Sequence, residues 1–428
     1  MLISFSCQNF RSFNEEKTLN MTAASISEFK ENVFPAAGQK LLKSVAIYGA
    51  NASGKSNLLS AMGRMRAIVM DSSSEGRAKK PLPIECFQLS NSTADQPSKF
   101  EVCFIAQGTQ YRYGFEATKE RIELEWLFQC NTTKDVLLFF REKDKFELLK
   151  DFESAKKLKT FTRPNALFLS VCAQFNIRLA ITIQEWFEQF NIILGENDRH
   201  YRRYTKELMA KGGKNKQVVI DLMKQADLGI KDINLEHKDA DLGDMPKNWS
   251  KSLEKLFIKF HEEDIYYSKH NIYDDQGVIC GDKIVNFDEW ESAGTNKFFN
   301  LLGVVVECLM EGGILVIDEL DAKLHPLLIS QVITLFNSKV TNSKNAQLIF
   351  TTHNTHLLSL DLFRRDQIWF TEKDNREATD LYSLVEYKEN DKKVRKDASY
   401  EKDYIRGRYG AIPFLGDFES LWSDKDGK

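Results

Sequence analysis

The stretch from Gly49 to Ser56 has the residue types and spacing of a phosphate-binding loop: two glycines, a lysine and then a hydroxyl residue. Glycines let backbone N–H groups point at phosphate oxygens, and the N-terminus of the next helix adds positive potential. Lys55 would reach the β- and γ-phosphates, and the Ser56 hydroxyl would bind Mg²⁺. The loop therefore predicts a site for a nucleotide with β- and γ-phosphates and for Mg²⁺. Its expected contacts are Gly49, Ala50, Asn51, Ala52, Ser53, Gly54, Lys55, Ser56 and Asn57.

The residues on either side of this loop predict the elements that must hold it. The apolar run from Val45 to Tyr48 suits a buried parallel strand, because such strands carry apolar side chains on both faces. After the loop, apolar residues recur at helical spacing, namely Leu58, Met62, Met65 and Val69. A strand, a glycine-rich turn and a helix in this order argue against a chance match.

A second apolar run, from Ile314 to Ile317, ends in the acidic residues Asp318 and Glu319. This is the pattern of a central parallel strand that delivers carboxylates at its C-terminal edge. Asp318 would hold Mg²⁺ through water, and Glu319 would act on the attacking water as general base. Two solvated acids after an ordinary core strand are the alternative, which the presence of Lys55 makes less favoured.

A further strand is predicted from Gln347 to Thr352, and His353 follows it. A histidine at this strand end could donate a hydrogen bond to the γ-phosphate. His325 and His356 are better explained as local capping or surface residues. Ser292 is well placed to cap the amphipathic helix that begins near Thr295, and capping alone would explain that serine.

Periodicity divides the chain into three predicted parts: an ATPase core (1–165), an inserted helical lobe (166–285) and the rest of the core (286–428). Residues 2–10 are predicted to form an edge strand, another strand follows near Thr18 to Thr22, and period-two alternation predicts an antiparallel β lobe from about Pro83 to Leu149. The predicted helices of the second part include a face of Ile177, Ala180, Ile183, Trp186, Phe187 and Phe190, and the segments Tyr201–Lys211, Gln217–Ala226 and Ser250–Phe260. Strand-like runs return from Ile265 to Phe287, and near Gln367–Phe370 and Leu381–Val385.

Composition excludes several classes of protein. The chain has 428 residues, 42% hydrophobic and 28% charged, with a net charge of −3, so bulk charge gives no case for nucleic acid. Its seven cysteines form no C-x-x-C pair, which argues against a zinc site or a disulfide framework and fits a reducing cytoplasm. The start of the sequence lacks a secretion signal. The longest apolar stretch, Phe298 to Met310, includes Glu307 and predicts a buried helix and no membrane span.

Two features allow nucleic-acid binding without requiring it. The aromatic residues of the β lobe could stack on bases, although core and cross-strand pairs explain them better. A basic face could contact nucleic acid or an acidic partner, although charge runs are usually solvated. Its residues are Arg199, Arg202, Arg203, Lys206, Lys211, Lys214 and Lys216.

The order of the motifs resembles that of the ABC-type ATPase head. Lys55 and Asp318 are separated by more than half the chain, a Ser-x-Gly turn precedes the second motif, and Asp and His follow it. The expected fold class is therefore an α/β P-loop NTPase, an ABC-type head with an antiparallel β lobe and an inserted helical lobe.

Four further segments make the whole chain resemble AAA-family predicted ATPases of bacterial antiphage defence, of the RloA and AbiL type. The PARIS ATPase, the Septu ATPase PtuA and the SMC, RecF and OLD-like heads are more distant resemblances. The segments are Asn9–Phe13, Glu291–Thr295, Glu319–Asp321 and Gly407–Pro413.

The resemblance implies additional roles for individual residues. Ser292 and Gly294 would contact the γ-phosphate bound to another copy, and Asp321 would couple the two sites. Arg11 would lie near the nucleotide, unless it is an ordinary surface arginine. Gln174 is the candidate for the glutamine that links Mg²⁺ to lobe movement; Gln88 is the alternative, expected to be worse placed within the β lobe. Glu291 and Thr295 depart from the transporter form of the motif, where leucine precedes the serine.

The function that the resemblance implies is a Mg²⁺-dependent ATPase that dimerises head-to-tail around ATP and controls a separate effector, a Toprim-like nuclease, in antiphage defence. The main alternative is a DNA-repair or chromosome-maintenance ATPase of the RecF or SMC class that binds DNA directly. A transporter subunit and a non-hydrolysing scaffold are less favoured, because the inserted lobes are long and the motif residues are all present.

Overall fold

The computed structural model describes residues 1–77, 80–130, 134–195, 199–238, 263–359, 361–389, 391–413 and 416. The predicted helix Ser250–Phe260 lies outside these residues. The chain divides into two compact units. The first is Met1–Gly195, Gly312–Leu320 and Ile333–Lys428, and the second is Glu196–Glu311 and Asp321–Val332. The three-part division with boundaries after residues 165 and 285 is a different partition and remains a prediction.

The described strands are β1 Leu2–Gln8, β2 Lys17–Asn20, β3 Val33–Ala36, β4 Gln39–Leu42, β5 Ser44–Gly49, β6 Ser98–Ala106, β7 Thr109–Ala117, β8 Ile122–Cys130, β9 Val136–Glu142, β10 Lys145–Leu148, β11 Phe190–Ile193, β12 Asp232–Lys238, β13 Glu263–Tyr273, β14 Ile279–Asn286, β15 Ile314–Ile317, β16 Gln347–Thr351, β17 Ile368–Lys373, β18 Thr379–Ser383, β19 Lys388–Glu389 and β20 Lys392–Lys393. The described α-helices are α1 Lys55–Asp71, α2 Phe168–Gln174, α3 Arg178–Glu188, α4 Arg199–Lys211, α5 Gly213–Gln225, α6 Phe287–Trp290, α7 Ala293–Glu311, α8 Pro326–Asn337 and α9 Tyr400–Ile405. Short 3-10 helices are Lys30–Asn32, Glu75–Arg77, Lys150–Phe161, Thr355–Ser359 and Arg365–Gln367.

A six-stranded sheet in the first unit carries the candidate phosphate loop. Its order is β11-β15-β16-β5-β17-β18, and all neighbouring pairs are parallel except β17 and β18. Every residue of β5, β15 and β16 is buried, which explains why these strands are nearly continuous apolar runs. The predicted buried strand at Val45–Tyr48 is therefore confirmed as part of β5. Strand β16 lies between β5 and β15, the strand that directly precedes Asp318.

A seven-stranded antiparallel sheet confirms the predicted β lobe. Its order is β10-β9-β8-β7-β6-β1-β2. The prediction that residues 2–10 form an edge strand was wrong, because β1 has partners on both sides: Phe5 pairs with Leu19 of β2 and with Val102 of β6. The lobe also begins later than predicted, at Ser98, since residues 81–88 have no regular structure.

The aromatic residues of this lobe form a core with α3. Phe104 stacks on Trp186 with ring centroids 4.3 Å apart, and Tyr113 contacts Phe187 edge-on. Helix α3 buries four of the six predicted face residues, but it ends at Glu188, so Phe190 belongs to β11. Buried rings of this kind contribute to packing and are not exposed for base stacking.

The second unit contains α4, α5, α6, α7 and the three-stranded sheet β12-β13-β14, together with the start of α8. The helices predicted near 201–211 and 217–226 and the strands predicted from 265 onward are confirmed. Helix α7 contains the apolar stretch Phe298–Met310 and buries most of it. Among the described residues, no helix is both long enough and apolar enough to cross a membrane.

Candidate nucleotide-binding site

The loop between β5 and α1 has a backbone that only glycine fits at two positions. Gly54 has φ +112°, and a Cβ there would overlap the side chain of Thr379. At Gly49 a Cβ would press on Ser53 and on the Thr371 carbonyl. These close approaches explain both glycines, because the loop must turn while β17 and β18 pack directly against it.

Lys55 points back into the loop that it follows. The side chain is 5% exposed, and its Nζ donates to the carbonyl oxygens of Gly49 at 2.8 Å and of Ala50 at 3.0 Å. Burial and two carbonyl acceptors hold the ammonium at the mouth of the loop. A triphosphate on the loop would therefore meet a positive charge that is already in position.

Ser56 and Asp318 meet although 262 residues separate them. The Ser56 hydroxyl donates to Asp318 Oδ1 at 3.1 Å, and Asp318 is 7% exposed at the end of β15. A hydroxyl and one carboxylate, both oxygen donors, fit Mg²⁺, which keeps waters and takes further oxygens from phosphates. Within the described ranges there is no cluster of three or more His, Cys, Asp or Glu side chains that would suggest a metal cage.

Thr351, the last residue of β16, is a site residue that sequence reasoning missed. Its hydroxyl donates to Asp318 Oδ1 at 2.6 Å and accepts from the backbone N–H of Glu319 at 2.7 Å. Thr351 is completely buried, so its bond to Asp318 is shielded from water, and its bond to Glu319 is partly shielded. The Thr351 hydroxyl therefore positions both the carboxylate of Asp318, which is expected to bind Mg²⁺, and the backbone of Glu319, the candidate base. The only sign of this role in the sequence is a hydroxyl residue at the end of a predicted strand.

Glu319 is half-buried and has a left-handed backbone, with φ +51°. A non-glycine residue in this region costs about 1–3 kcal/mol and persists where its surroundings enforce it. The bond to Thr351 is one such constraint. The turn places Glu319 directly after the buried Asp318, as a general base beside a Mg²⁺ ligand would require.

His353 is exposed and lines a cavity of about 790 Å³ together with loop residues Gly49–Ser53. The structure therefore brings His353 to the loop, as predicted. His325 accepts from the N–H of Leu327, and His356 contacts Ser359, so both make the local contacts expected of them.

Arg11 lies beside α1 and is one-third exposed. Its guanidinium donates to both carboxylate oxygens of Glu85, at 2.8 and 3.2 Å, and to the Ser60 hydroxyl at 3.0 Å. The hydrogen bond from Arg11 lowers the pKa of Glu85. Arg11 also lines a cavity of about 820 Å³ that includes Asn57 and Gln88, so it is near the loop but already paired.

Gln174 does not lie where it was predicted. The apolar run before it forms helix α2 and no strand, and the Ser170 hydroxyl of α2 donates to the Val69 carbonyl. Val69 is about 20 Å along α1 from Lys55, because each helical residue rises about 1.5 Å. Gln174 is exposed one turn further along α2, whereas Gln88 lines the cavity beside Asn57. Gln88 thus lies nearer to the loop than Gln174 does, and the role of either glutamine remains a prediction.

A chain of hydrogen bonds, also missed by sequence reasoning, anchors the loop to two distant segments. Thr379 Oγ1 lies 2.9 Å from the Ser53 carbonyl and 2.7 Å from Ser12 Oγ, and Asn57 donates to Ser12 at 2.8 Å. The Thr379 hydroxyl has one proton, which it can donate either to the Ser53 carbonyl or to the Ser12 hydroxyl. Asn57, Ser12, Thr379 and Ser53 thus form one continuous series of hydrogen-bonded groups.

Ser292, Gly294 and Asp321 belong to the second unit. The Ser292 hydroxyl accepts from the N–H of Thr295 at 3.1 Å, which confirms the predicted cap of α7. A Cβ at Gly294 would lie 2.7 Å from the Lys323 carbonyl, so that position requires glycine. The turn containing Ser292 therefore packs tightly on the segment that follows Asp321.

Glu291, which departs from the expected motif, is anchored to β13. Its Oε1 accepts from the buried Ser268 hydroxyl at 2.6 Å and lies 2.8 Å from His270 Nε2. The acidic side chain is nearly buried, so these partners offset its desolvation. Glu291 thus joins the turn at Ser292 to the inserted three-stranded sheet.

Part of the predicted basic face is internally paired. Arg202 and Lys206 both approach the carboxylate of Asp288, and Arg203 pairs with Glu207 at 3.0 Å. Lys211 and Lys214 are exposed. The charge available to a partner is therefore smaller than the sequence count indicates.

The fold and the site together define an ABC-type P-loop ATPase head of the α/β class. Residues 44–359 match the family described as "AAA domain, putative AbiEii toxin, Type IV TA system", and the chain belongs to that family. No curated protein matched the chain. Among solved structures, the chain is similar to the recombination mediator protein RecF bound to ATP, of the RecFOR pathway. That similarity has a TM-score of 0.31 and 14% identity, and it covers 82% of this chain and 93% of the RecF chain.

Proposed function

We propose that this protein is a Mg²⁺-dependent ATP hydrolase whose ATP-bound heads pair and control a partner. The observation that carries the catalytic part is the contact between Ser56, Asp318 and Thr351, followed directly by Glu319. Three distant segments of chain meet there, and the residues are those that nucleotide hydrolysis requires.

The residues divide the chemical work. Lys55 and the backbone N–H groups of the loop stabilise the phosphate oxygens, and Ser56 and Asp318 hold the Mg²⁺. Bound Mg²⁺ supplies charge neutralisation at the β- and γ-phosphates. Glu319 accepts a proton from the attacking water, and His353 donates a hydrogen bond to the terminal phosphate.

The pairing of two copies is the second part of the proposal. Ser292 and Gly294 begin α7, a helix of 19 residues, so N–H groups and a positive helix end are available there. We place them against the γ-phosphate bound to another copy, with Asp321 coupling the two sites. Two ATP molecules would then lie between head-to-tail copies.

The partner is proposed to be a separate effector, a Toprim-like nuclease, and the setting bacterial antiphage defence. This rests on the motif resemblance and on the family description, which names a putative AbiEii toxin and a Type IV TA system. A RecF-like ATPase that binds DNA directly is the second candidate, and the exposed Lys211 and Lys214 favour it.

Glu319→Gln tests the catalytic assignment. Hydrolysis should fall by about 10²–10⁴-fold while ATP binding is retained, because the amide cannot accept the proton. Glu75→Gln, at an exposed position, is the control and should match the unsubstituted protein. Unchanged turnover in Glu319→Gln would remove Glu319 from its role.

A pair of isosteric variants tests the two-copy site. Ser292→Asn and Ser292→Asp both retain a side chain that caps α7. Only the aspartate places a negative charge against a γ-phosphate, so it should abolish ATP-dependent dimerisation, measured by light scattering, while the asparagine variant still dimerises. Equal dimerisation of the two variants would refute the contact.

DNA-stimulated hydrolysis distinguishes the two candidate functions. The RecF-like candidate predicts that DNA stimulates the isolated chain, with a steep loss of stimulation as salt rises. Substituting Lys211 and Lys214 with glutamine should then reduce that salt dependence. Hydrolysis indifferent to DNA, with a Toprim-like protein bound to the chain, supports the paired-effector proposal.

A further inference from the structure

The C-terminal segment from Tyr404 to Pro413 and the phosphate loop line the same cavity. The lining of this 790 Å³ cavity includes Gly49–Ser53 and His353, and also Ile405, Ala411, Ile412 and Pro413. The distinctive tail motif, Gly407–Pro413, therefore lies beside the nucleotide site, although the catalytic assignment does not use it.

The hydroxyl of Tyr404 ties this segment to the loop. It donates to the Ala411 carbonyl at 3.1 Å and receives a hydrogen bond from the backbone of Gly49. The ring packs on Tyr48 and Phe370, with centroids 5.8 and 5.4 Å away. Burial raises the pKa of Tyr404 to about 12, so the hydroxyl stays protonated and keeps donating at neutral pH.

Hydrogen bonds from neighbouring tyrosines and close packing at one glycine hold this segment in a single backbone conformation. The Tyr382 hydroxyl donates to the Tyr409 carbonyl at 2.7 Å, and the Tyr387 hydroxyl donates to the Arg408 carbonyl at 2.5 Å. Gly410 has φ +68°, and a Cβ there would press on the Glu372 carboxylate. These hydrogen bonds and the close packing at Gly410 hold the backbone of the segment in one conformation.

The composition of the cavity indicates which end of a nucleotide it faces. It contains the first half of the phosphate loop and His353, the expected partner of the γ-phosphate, whereas Asn57 and Ser12 line the other cavity. Ile405, Ile412 and Pro413 add apolar surface to this cavity, which would lower the polarity around a terminal phosphate bound there.

We propose that the segment Tyr404–Pro413 is a wall of the nucleotide site that faces the terminal phosphate, so that it distinguishes a nucleoside triphosphate from a diphosphate. This inference rests on the proposed function, because it requires a nucleotide on the loop. The Tyr404 hydroxyl joins the Gly49 backbone to this segment, so a change in the loop backbone would alter the segment's hydrogen bonding.

Hydrogen exchange of the full chain tests the contact. With Mg²⁺, a non-hydrolysable ATP analogue should slow exchange in residues 404–413 more than ADP does, and both should slow exchange in residues 44–57. Protection of the loop without any difference at 404–413 would overturn this inference alone. No protection anywhere would overturn the proposed nucleotide binding itself.

Two variants of Ile412 test the orientation of the wall. Ile412→Asp places a carboxylate towards the terminal phosphate, and Ile412→Asn removes the same apolar group without adding charge. The aspartate variant should bind ATP about tenfold more weakly than the asparagine variant, with a smaller difference for ADP. Equal ATP affinities of the two variants would show that the wall does not face the phosphates.

Discussion

Replacing Thr351 with valine removes one hydroxyl and little else. Valine has nearly the same shape, so the buried end of β16 keeps its packing. Thr351 donates to Asp318 and accepts from the N–H of Glu319, and both bonds are lost together. The variant therefore separates the hydrogen bonding of this residue from its volume.

The expected loss of stability follows from those two bonds. A hydrogen bond to a charged group is worth about 1.5–3 kcal/mol, and leaving a buried N–H unsatisfied costs about 1–3 kcal/mol. The free energy of unfolding should therefore fall by about 3 kcal/mol, which corresponds to a decrease in Tm of roughly 3–5 °C for a chain of this size. Groups that orient a metal ligand typically change metal affinity or activity about 10–100-fold, so the Mg²⁺ dependence of hydrolysis should weaken by a similar factor.

The neighbouring residue Thr352 provides a matched control. It is equally buried, and its hydroxyl accepts from the nearby N–H of Asn354. Among the hydrogen bonds of the described residues, none joins Thr352 to Asp318. We expect Thr352→Val to keep the Mg²⁺ dependence of the unsubstituted protein. Thermal unfolding and ATPase assays across a Mg²⁺ titration measure both quantities. Equal effects of the two substitutions would refute the assignment of Thr351.

Three further variants test separate parts of the structure. Gly54→Ala should abolish ATP binding in an equilibrium assay while the chain stays folded by circular dichroism, because a Cβ would overlap Thr379. Glu125→Ala should lower the free energy of unfolding by about 3–5 kcal/mol, since it removes the carboxylate paired with the buried Arg141, whereas the partly exposed Glu123→Ala should cost about 1 kcal/mol or less in the same denaturant titration. Glu291→Ala should weaken ATP-dependent dimerisation, measured by light scattering, and leave ATP affinity unchanged. Glu291→Gln should retain most of the dimerisation, because the amide oxygen still accepts from Ser268. Equal dimerisation of the two variants would argue against a role for that bond.

Local patterns in the sequence were sufficient for the residues that act on phosphate. The loop Gly49–Ser56 has a fixed spacing, and Asp318 and Glu319 stand at the end of an apolar strand. Parallel strands bring their carboxyl ends to one edge of a sheet, so the contact between Ser56 and Asp318 follows from topology once the strands are recognised.

Residues whose role depends on pairing between distant segments could not be predicted in the same way. Thr351 and Thr379 are ordinary strand residues by composition, and only the neighbouring strands give their hydroxyls partners. The misplacement of Gln174 has a similar cause. The apolar run before it suits a strand or a buried helix equally, and the carboxylate of Glu125, which accepts from the N–H groups of Phe168 and Leu169 at the start of α2, lies 43 residues away.

In this chain the phosphate loop is held in place by segments that lie far from it in the sequence. Ser12 and Thr379 fix the carbonyl of Ser53, and Tyr404 contacts the backbone of Gly49. The loop is thus held from one side by a residue near the start of the sequence and from another by a residue near its end. A nucleotide that alters the loop must change the environment of both segments, because each is joined to it by a buried or partly buried hydrogen bond that cannot be exchanged freely for water. We therefore expect a nucleotide on the loop to affect both segments without a large rearrangement of the central sheet.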